Sequence, residues 1–128
     1  MRLLLDTHTL LWFLEDSPQL SSTARTEIEE SANDVFVSAA SLWEIAIKVS
    51  LGKLALNKPI DVWMPTELAA NSIDLLGISI DHIVKIASLP FHHRDPFDRL
   101  LIAQALVENM LVVGADSAFD SYGVKRLW

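Results

Sequence analysis

The stretch "RLLLDTHTLLWFL" (residues 2–14) holds two kinds of structure end to end. It starts as a short apolar run that ends at Asp6 and reads as a strand. "THTLLWFL" then reads as a helix, and "DSPQLS" breaks it. The same alternation returns along the chain. "SSTARTEIEESA" reads as an exposed helix with a serine cap, and "DVFVS" as a second strand rich in β-branched and aromatic residues. "AASLWEIAIKVSLG" reads as a helix ended by Gly52 at the C′ position. "IDVWMPTELAANS" is helical but interrupted by Pro65, which predicts a kink or two short pieces. "IDLLGI" is a third strand, and "DHIVKIASL" a short helix stopped before Pro90. "PFDRLLIAQALVEN" is a helix, "MLVVGA" a fourth strand and "VKRLW" a candidate fifth. Strands alternating with helices predict an α/β fold: a central, mostly parallel sheet of four to five strands with helices on both faces. The apolar strands fit burial on both sides.

Composition narrows the function. The 128 residues suit a single domain, taken as residues 1–128. Hydrophobic residues make up 51% and mean hydropathy is +0.30, so some apolar surface is expected to be covered by a partner or a second copy. Ten Lys and Arg against 17 Asp and Glu give a formal charge of −7. That argues against gripping nucleic acid by a broad basic surface. It is compatible with a concentrated acidic site whose charge a divalent metal would invert. The absence of cysteine excludes disulfides and thiolate metal sites and suits a reducing cytoplasm. The opening residues look only briefly like a signal peptide: Asp6 and His8 interrupt the apolar run, and no small-residue cleavage site follows. No stretch reaches the ~18 apolar residues of a membrane span. The expectation is a soluble, cytoplasmic protein with no membrane partner.

The acids carry the chemistry. In an open parallel sheet, ligands bind beyond the carboxyl ends of the strands. Asp6 ends the first strand and Asp116 follows the fourth, so both fall on one edge, although each also reads as a turn residue or helix cap. Glu44 is the only acid in an otherwise apolar helix. It forms either a surface pair with Lys48 at i,i+4, worth ~0.2–0.5 kcal/mol, or a buried acid needing an arginine, a hydrogen-bond set or a metal. In "FHHRDPFDRLLIAQAL" (residues 91–106), Asp95 before Pro96 fits an N-cap followed by proline at N1. Asp98 falls at N3, where an acid suits the capping box and the helix dipole. Together Asp6, Glu44, Asp98 and Asp116 come from four elements that a parallel sheet can bring to one edge. Hard cations such as Mg²⁺ are held by carboxylates, can polarise a phosphate and activate water, and relieve the repulsion of clustered acids.

These segments carry a resemblance that covers essentially the whole chain. "LLLDTHTLLW", "VSAASLWEIAIKVSLGKL", "HHRDPFDRLLIAQAL" and "LVVGADSAFDSYGV" resemble the motifs of the PIN-domain nuclease family, in particular the VapC-like toxins of bacterial toxin–antitoxin pairs. The resemblance implies a three-layer PIN-like fold. It implies Asp6, Glu44 and Asp98 as core metal ligands and catalytic acids, with Asp116 as the fourth, and Mg²⁺ or Mn²⁺ as cofactor. It also implies hydrolysis of RNA phosphodiester bonds by an activated water, a homodimer, and neutralisation by a small cognate antitoxin. The family's usual hydroxyl near the fourth acid is here replaced by Gly114-Ala115, with Ser117 after Asp116. Asp120, one helical turn on, is an auxiliary candidate.

Neighbouring residues have two readings each. Thr7 either hydrogen-bonds a metal water or phosphate, or caps the following helix. His8 reads as packed or partly exposed. Arg94 and Arg99 are the local candidates for phosphate contact, since a guanidinium binds phosphate bidentately, ahead of His92 and His93. Arg99 alternatively pairs with Asp95 at i,i+4. Lys48 and Lys53 are further substrate-binding candidates, with a solvated surface as the plainer reading. Trp12, Phe13, Trp43, Trp63 and Trp128 read as core, with Trp12 and Trp63 alternatively lining an antitoxin groove. Two other functions compete with the ribonuclease. One is an aspartate-dependent phosphohydrolase with Asp6 as nucleophile, although His8 stands where "DTHT" would need its second aspartate. The other is a non-catalytic PIN-like binding module.

Overall fold

The computed structural model describes residues 1–128. β1 (Arg2–Leu5) lies in the middle of an all-parallel sheet of order β3-β2-β1-β4-β5. The other strands are β2 (Asp34–Ser38), β3 (Ile73–Leu76), β4 (Leu111–Val113) and β5 (Arg126–Leu127). Leu5 is in register with Val37 on one side and Val113 on the other. Successive strand side chains point to opposite faces, and here both faces are covered. Leu3, Leu5, Val35, Val37 and Val113 enter one core and Leu4 and Val112 the other.

The first core is closed by α1 (Thr7–Leu14), α2 (Ser22–Glu29), α3 (Ala39–Ser50) and α4 (Ile60–Ala70), which contribute Leu10, Ile28, Ile45 and Trp63. The second is closed by α6 (Pro96–Glu108) and by a 3-10 helix at Ser117–Tyr122, through Leu101, Ile102, Phe119 and Tyr122. α5 (Ile80–Ser88) packs along α6. Leu3, Leu4 and Leu5 are completely buried. Each such leucine contributes about 1.5–3 kcal/mol of transfer free energy, which makes β1 the best-fixed segment of the sheet. The three-layer α/β architecture expected from the alternation is therefore the observed one.

Local rules explain most boundaries. α3 ends as expected: Gly52 takes φ +70°, its N–H donates to Val49 and that of Lys53 to Lys48, the paired bonds of a Schellman turn. Pro65 does not divide α4 into two pieces; the helix runs unbroken from Ile60 to Ala70. The bond a proline removes is the one to the carbonyl four residues back. Here that carbonyl belongs to Asp61, an exposed residue of the first turn, so losing the bond leaves no deeply buried acceptor unpaired.

Arg99 departs from its expected role. It is buried, and its guanidinium donates to the carbonyls of Pro90 (2.8 Å), Ile86 and Leu89 (3.3 Å each) and to Tyr122 Oη (3.4 Å). Phe91 covers it, with the ring centroid 4.4 Å from Cζ. It neither faces the acids nor pairs with Asp95; it ties the end of α5 and the following loop to α6. Arg99→Met is expected to lower unfolding free energy by about 2–3 kcal/mol, because buried carbonyls lose a charged donor. Arg99→Lys should recover only part, since one ammonium cannot span the separate carbonyls. Urea titration of both variants checks this.

Candidate metal centre

The parallel pairing of β1 with β4 sets the first acid. The Asp6 N–H continues the ladder, donating to Val113 O at 3.1 Å, and the chain then turns directly into α1. Asp6 is the N-cap of that helix: its Oδ1 accepts the Thr9 N–H at 2.8 Å. The Thr9 hydroxyl donates to Val113 O at 2.9 Å, closing the corner between strand and helix. Asp6 is only 7% exposed. Its Oδ2 lies against Gly114, where an added Cβ would stand 2.5 Å away. A glycine after β4 is thus a steric requirement of the Asp6 carboxylate.

Thr7 is the first helical residue of α1 and not its cap. Its hydroxyl donates to Glu44 Oε1 at 2.6 Å. Glu44 reaches the edge from α3, while its Oε2 lies 3.7 Å from Lys48 Nζ. Both sequence readings of Glu44 are therefore realised: it pairs with Lys48 and it points into the acidic cleft.

The other two acids come from the second layer. Asp95 caps α6, its Oδ1 accepting the N–H groups of Phe97 (2.8 Å) and Asp98 (3.3 Å), with Pro96 in the first turn. This fixes Asp98 one turn into the helix, facing the strand ends. Asp116 follows β4 and caps the 3-10 helix through Oδ1, which accepts the Ala118 N–H at 2.9 Å. His93 stands between them, Nε2 at 3.1 Å from Asp98 Oδ2 and 3.7 Å from Asp116 Oδ2. Asp6, Thr7, His8, Glu44, Asp95, Asp98, Asp116 and Phe119 line one small cleft of about 80 Å³. The expected four acids are thus brought together.

Their electrostatics are unfavourable in the metal-free protein. Burial raises the pKa of Asp6, opposed by its hydrogen bonds with Thr9. The Asp98 carboxyl is pushed up to about 7, chiefly by burial and then by the charge of Asp95; His93 opposes the shift, while Asp6 and Glu44 add to it. Desolvated oxygens that repel one another suit a hard divalent cation. Asp6, Glu44, Asp98 and Asp116 all line the cleft where such an ion could sit. His93, Asp98 and Asp116 also offer atoms within 4.8 Å of one another.

Other expected residues lie elsewhere. Asp120 is outside the cleft; Arg126 donates to both its oxygens at 2.9 and 3.1 Å and holds its pKa below the usual carboxylate value. This pair joins the 3-10 helix to β5, so the auxiliary role is not where the structure puts Asp120. Arg94 is exposed and lines a separate cavity of about 410 Å³ with Ile86, Phe91, Pro96 and Arg99. Trp63 is buried and lines a cleft with Leu14 and Leu56, whereas Trp12 packs beside His8 and Trp128. Trp43, expected in the core, is 61% exposed and meets Phe97 edge-on at 5.1 Å. His93 is the residue that sequence reasoning undervalued. Its one signal was its place two positions before the capping Asp95.

Comparison with known proteins gives the same picture along the whole chain. A family model for the PIN domain matches residues 3–125. Ribonuclease VapC22 of Mycobacterium tuberculosis H37Rv is 28% identical over 120 residues, 93% of this chain and 90% of its own. VapBC2 from Rickettsia felis, solved bound to a promoter DNA fragment, superposes with a TM-score of 0.75 at 16% identity, over 99% of this chain and 98% of that one. FitAcB from Neisseria gonorrhoeae superposes with a TM-score of 0.65 at 18% identity, over 98% and 96%. At these identities the two structures show a shared fold.

Two outcomes follow from this geometry. Gly114→Ala should displace the Asp6 carboxylate and weaken Mn²⁺ binding by roughly 10-fold or more, read by calorimetry. Asp98 has a folded-state pKa above its ordinary 3.8, so the folded, metal-free protein binds more protons than the unfolded chain between that value and about 7. Its contribution to stability therefore falls as pH rises through this window. Asp98→Asn should flatten that slope and raise the melting temperature of chelator-treated protein at alkaline pH; thermal melts across the window test it.

Proposed function

The chain belongs to the PIN domain family, whose model spans nearly all of it, and from that premise we propose that it is a divalent-metal-dependent ribonuclease, the toxin of a toxin–antitoxin pair. One observation carries the reading: Asp6, Glu44, Asp98 and Asp116, from four separate elements, line one small cleft. The name of the M. tuberculosis relative, a ribonuclease, supports the substrate class. Asp6, Glu44 and Asp98 would hold Mg²⁺ or Mn²⁺, with Asp116 as the fourth acid. An ion bound there polarises the scissile phosphate and activates water for attack.

The chain's own residues prepare that chemistry. The Thr9 N–H and the bare Gly114 hold Asp6 in one orientation. The Thr7 hydroxyl takes one oxygen of Glu44 and leaves the other toward Lys48. Asp95 fixes the turn from which Asp98 projects. Burial of Asp6 limits the screening of its charge by bulk water, which strengthens its interactions in the cleft. Lys48 beside Glu44, and exposed Arg94, are the cations proposed to meet RNA phosphates. Hydrolysis by water does not need a 2′-hydroxyl, so preference for RNA comes from binding contacts.

The partners follow from the same reading. Solved relatives named VapBC2 and FitAcB support a cognate antitoxin. Ile80, Ile83 and Val84 leave an apolar stripe exposed on α5, which supports a homodimer. No helix is long and apolar enough to cross a membrane, and the cysteine-free chain fits work in the cytoplasm as one domain over residues 1–128.

Purified protein freed of antitoxin should cleave RNA with Mg²⁺ or Mn²⁺, lose activity with chelator and regain it with metal. Asp6→Asn and Asp98→Asn should abolish cleavage with little loss of fold. Asp95→Asn should be mild in both respects, because asparagine caps about as well; if it proves inactive while folded, the roles of Asp95 and Asp98 have been divided wrongly. Metal-loaded protein that leaves diverse RNAs intact would sink the assignment. Trapping a phospho-aspartate at Asp6 would favour a phosphohydrolase, and failure to bind Mn²⁺ among the acids a binding module.

A further inference from the structure

We infer that His93 is a positioning residue of this centre: its Nε2 faces the Asp98 carboxylate at ion-pair distance, with that of Asp116 farther off, and it is not a metal ligand. The inference rests on the metal-binding part of the reading above, and it starts from the other side of the imidazole. The Asp95 backbone N–H donates to His93 Nδ1 at 3.1 Å, so that nitrogen carries a lone pair. In a neutral imidazole the single proton then sits on Nε2, the atom 3.1 Å from Asp98 Oδ2 and 3.7 Å from Asp116 Oδ2. To coordinate a cation, Nε2 would need a free lone pair. The proton would have to move to Nδ1, where it would meet the Asp95 N–H head-on.

The ring is also held in place from behind. The His93 backbone N–H donates to Tyr122 Oη at 2.7 Å, and Tyr122 is buried against the second core. Arg99, anchored on the carbonyls of residues 86, 89 and 90, reaches the same phenol oxygen. The loop that carries His93 is therefore pinned at both ends before any ion arrives.

Asp116 is the acid that depends on this arrangement most. Its side chain is half exposed, and it leaves β4 through Gly114-Ala115, which offer no side-chain donor. Its Oδ1 is used by the Ala118 N–H, and its Oδ2 lies 3.7 Å from His93 Nε2, close enough for charge attraction and too far for a hydrogen bond. The imidazole edge lies between Asp116 and Asp98, which stands on the first turn of α6. Asp98 turns one oxygen, Oδ2, toward the imidazole at 3.1 Å. Groups that orient metal ligands in this way typically affect affinity ~10–100-fold.

Two substitutions separate the halves of the ring. In His93→Asn the amide oxygen replaces Nδ1 as acceptor for the Asp95 N–H, and the donor to the acids is lost. In His93→Gln the amide NH₂ replaces Nε2 as donor, and the loop contact is lost. Mn²⁺ binding to the full chain, without RNA, is measured by calorimetry for both. His93→Asn should melt with the unsubstituted protein yet bind Mn²⁺ about 10-fold or more weakly, and His93→Gln should recover most of that loss. Electron spin-echo spectra of Mn²⁺ bound to the unsubstituted protein should show no directly coordinated nitrogen. A coordinated imidazole nitrogen overturns the inference. So does His93→Asn binding Mn²⁺ normally, or His93→Gln binding as weakly as His93→Asn. Protein that shows the expected Mn²⁺ pattern but cuts no RNA would remove the ribonuclease reading and leave this one standing.

Discussion

Everything at the candidate site depends on β1 being paired in parallel with β2 on one side and β4 on the other. Because all five strands run the same way, their carboxyl ends share one edge. The strand order reverses direction at β1: the chain moves outward through β2 and β3, then returns to place β4 on the opposite side. Open α/β sheets bind ligands at such a switch point, since the diverging connections leave a crevice there. The common level of Leu5 and Val113 puts Asp6 and Gly114 side by side. Three fully buried leucines anchor that level, packed into the cores on both faces of the sheet.

Helix caps do the rest of the positioning, and the same atoms serve structure and site. Asp6, Asp95 and Asp116 each accept a backbone N–H at the start of a helix. Capping fixes a carboxylate in one rotamer, which a flexible surface acid lacks. Two of the three caps therefore also serve as candidate ligands, each through its remaining oxygen. The cost is electrostatic. Crowded, half-dry carboxylates oppose one another, as the raised pKa values of Asp6 and Asp98 record, and the cores on both faces of the sheet must hold them together. Strain of this kind concentrates at functional sites.

The sequence made the strands and most helices legible because their signals are local: apolar runs, serine and aspartate caps, Gly52 at a helix end. Asp6, Glu44, Asp98 and Asp116 were legible because each sits at a definable place on such an element. What escaped were side chains whose partners lie on other segments. Arg99 reads as a cation beside an acidic motif, yet its partners are carbonyls 9 to 13 positions back, together with Tyr122 23 positions on. Asp120 reads as a further acid until Arg126 arrives from β5. His93 gains its meaning only when the Asp95 N–H and the Asp116 carboxylate close around it. Trp43 reads as core because its helix is apolar, but that helix buries Ile45 and turns Trp43 outward.

The two margins of the sheet have a consequence of their own. β5 is two residues long, and β3, the other border, is four residues long with Asp74 exposed in its middle. Borders that short, each with a charged residue, give little template for another strand to join. Ile80, Ile83 and Val84 are exposed together on α5, a helix whose backbone is already satisfied. Contact between copies through such a face is made by side chains alone, and when two such faces meet about a two-fold axis both are used up. Association of that kind saturates at a fixed stoichiometry, whereas ladder growth along an open strand would not.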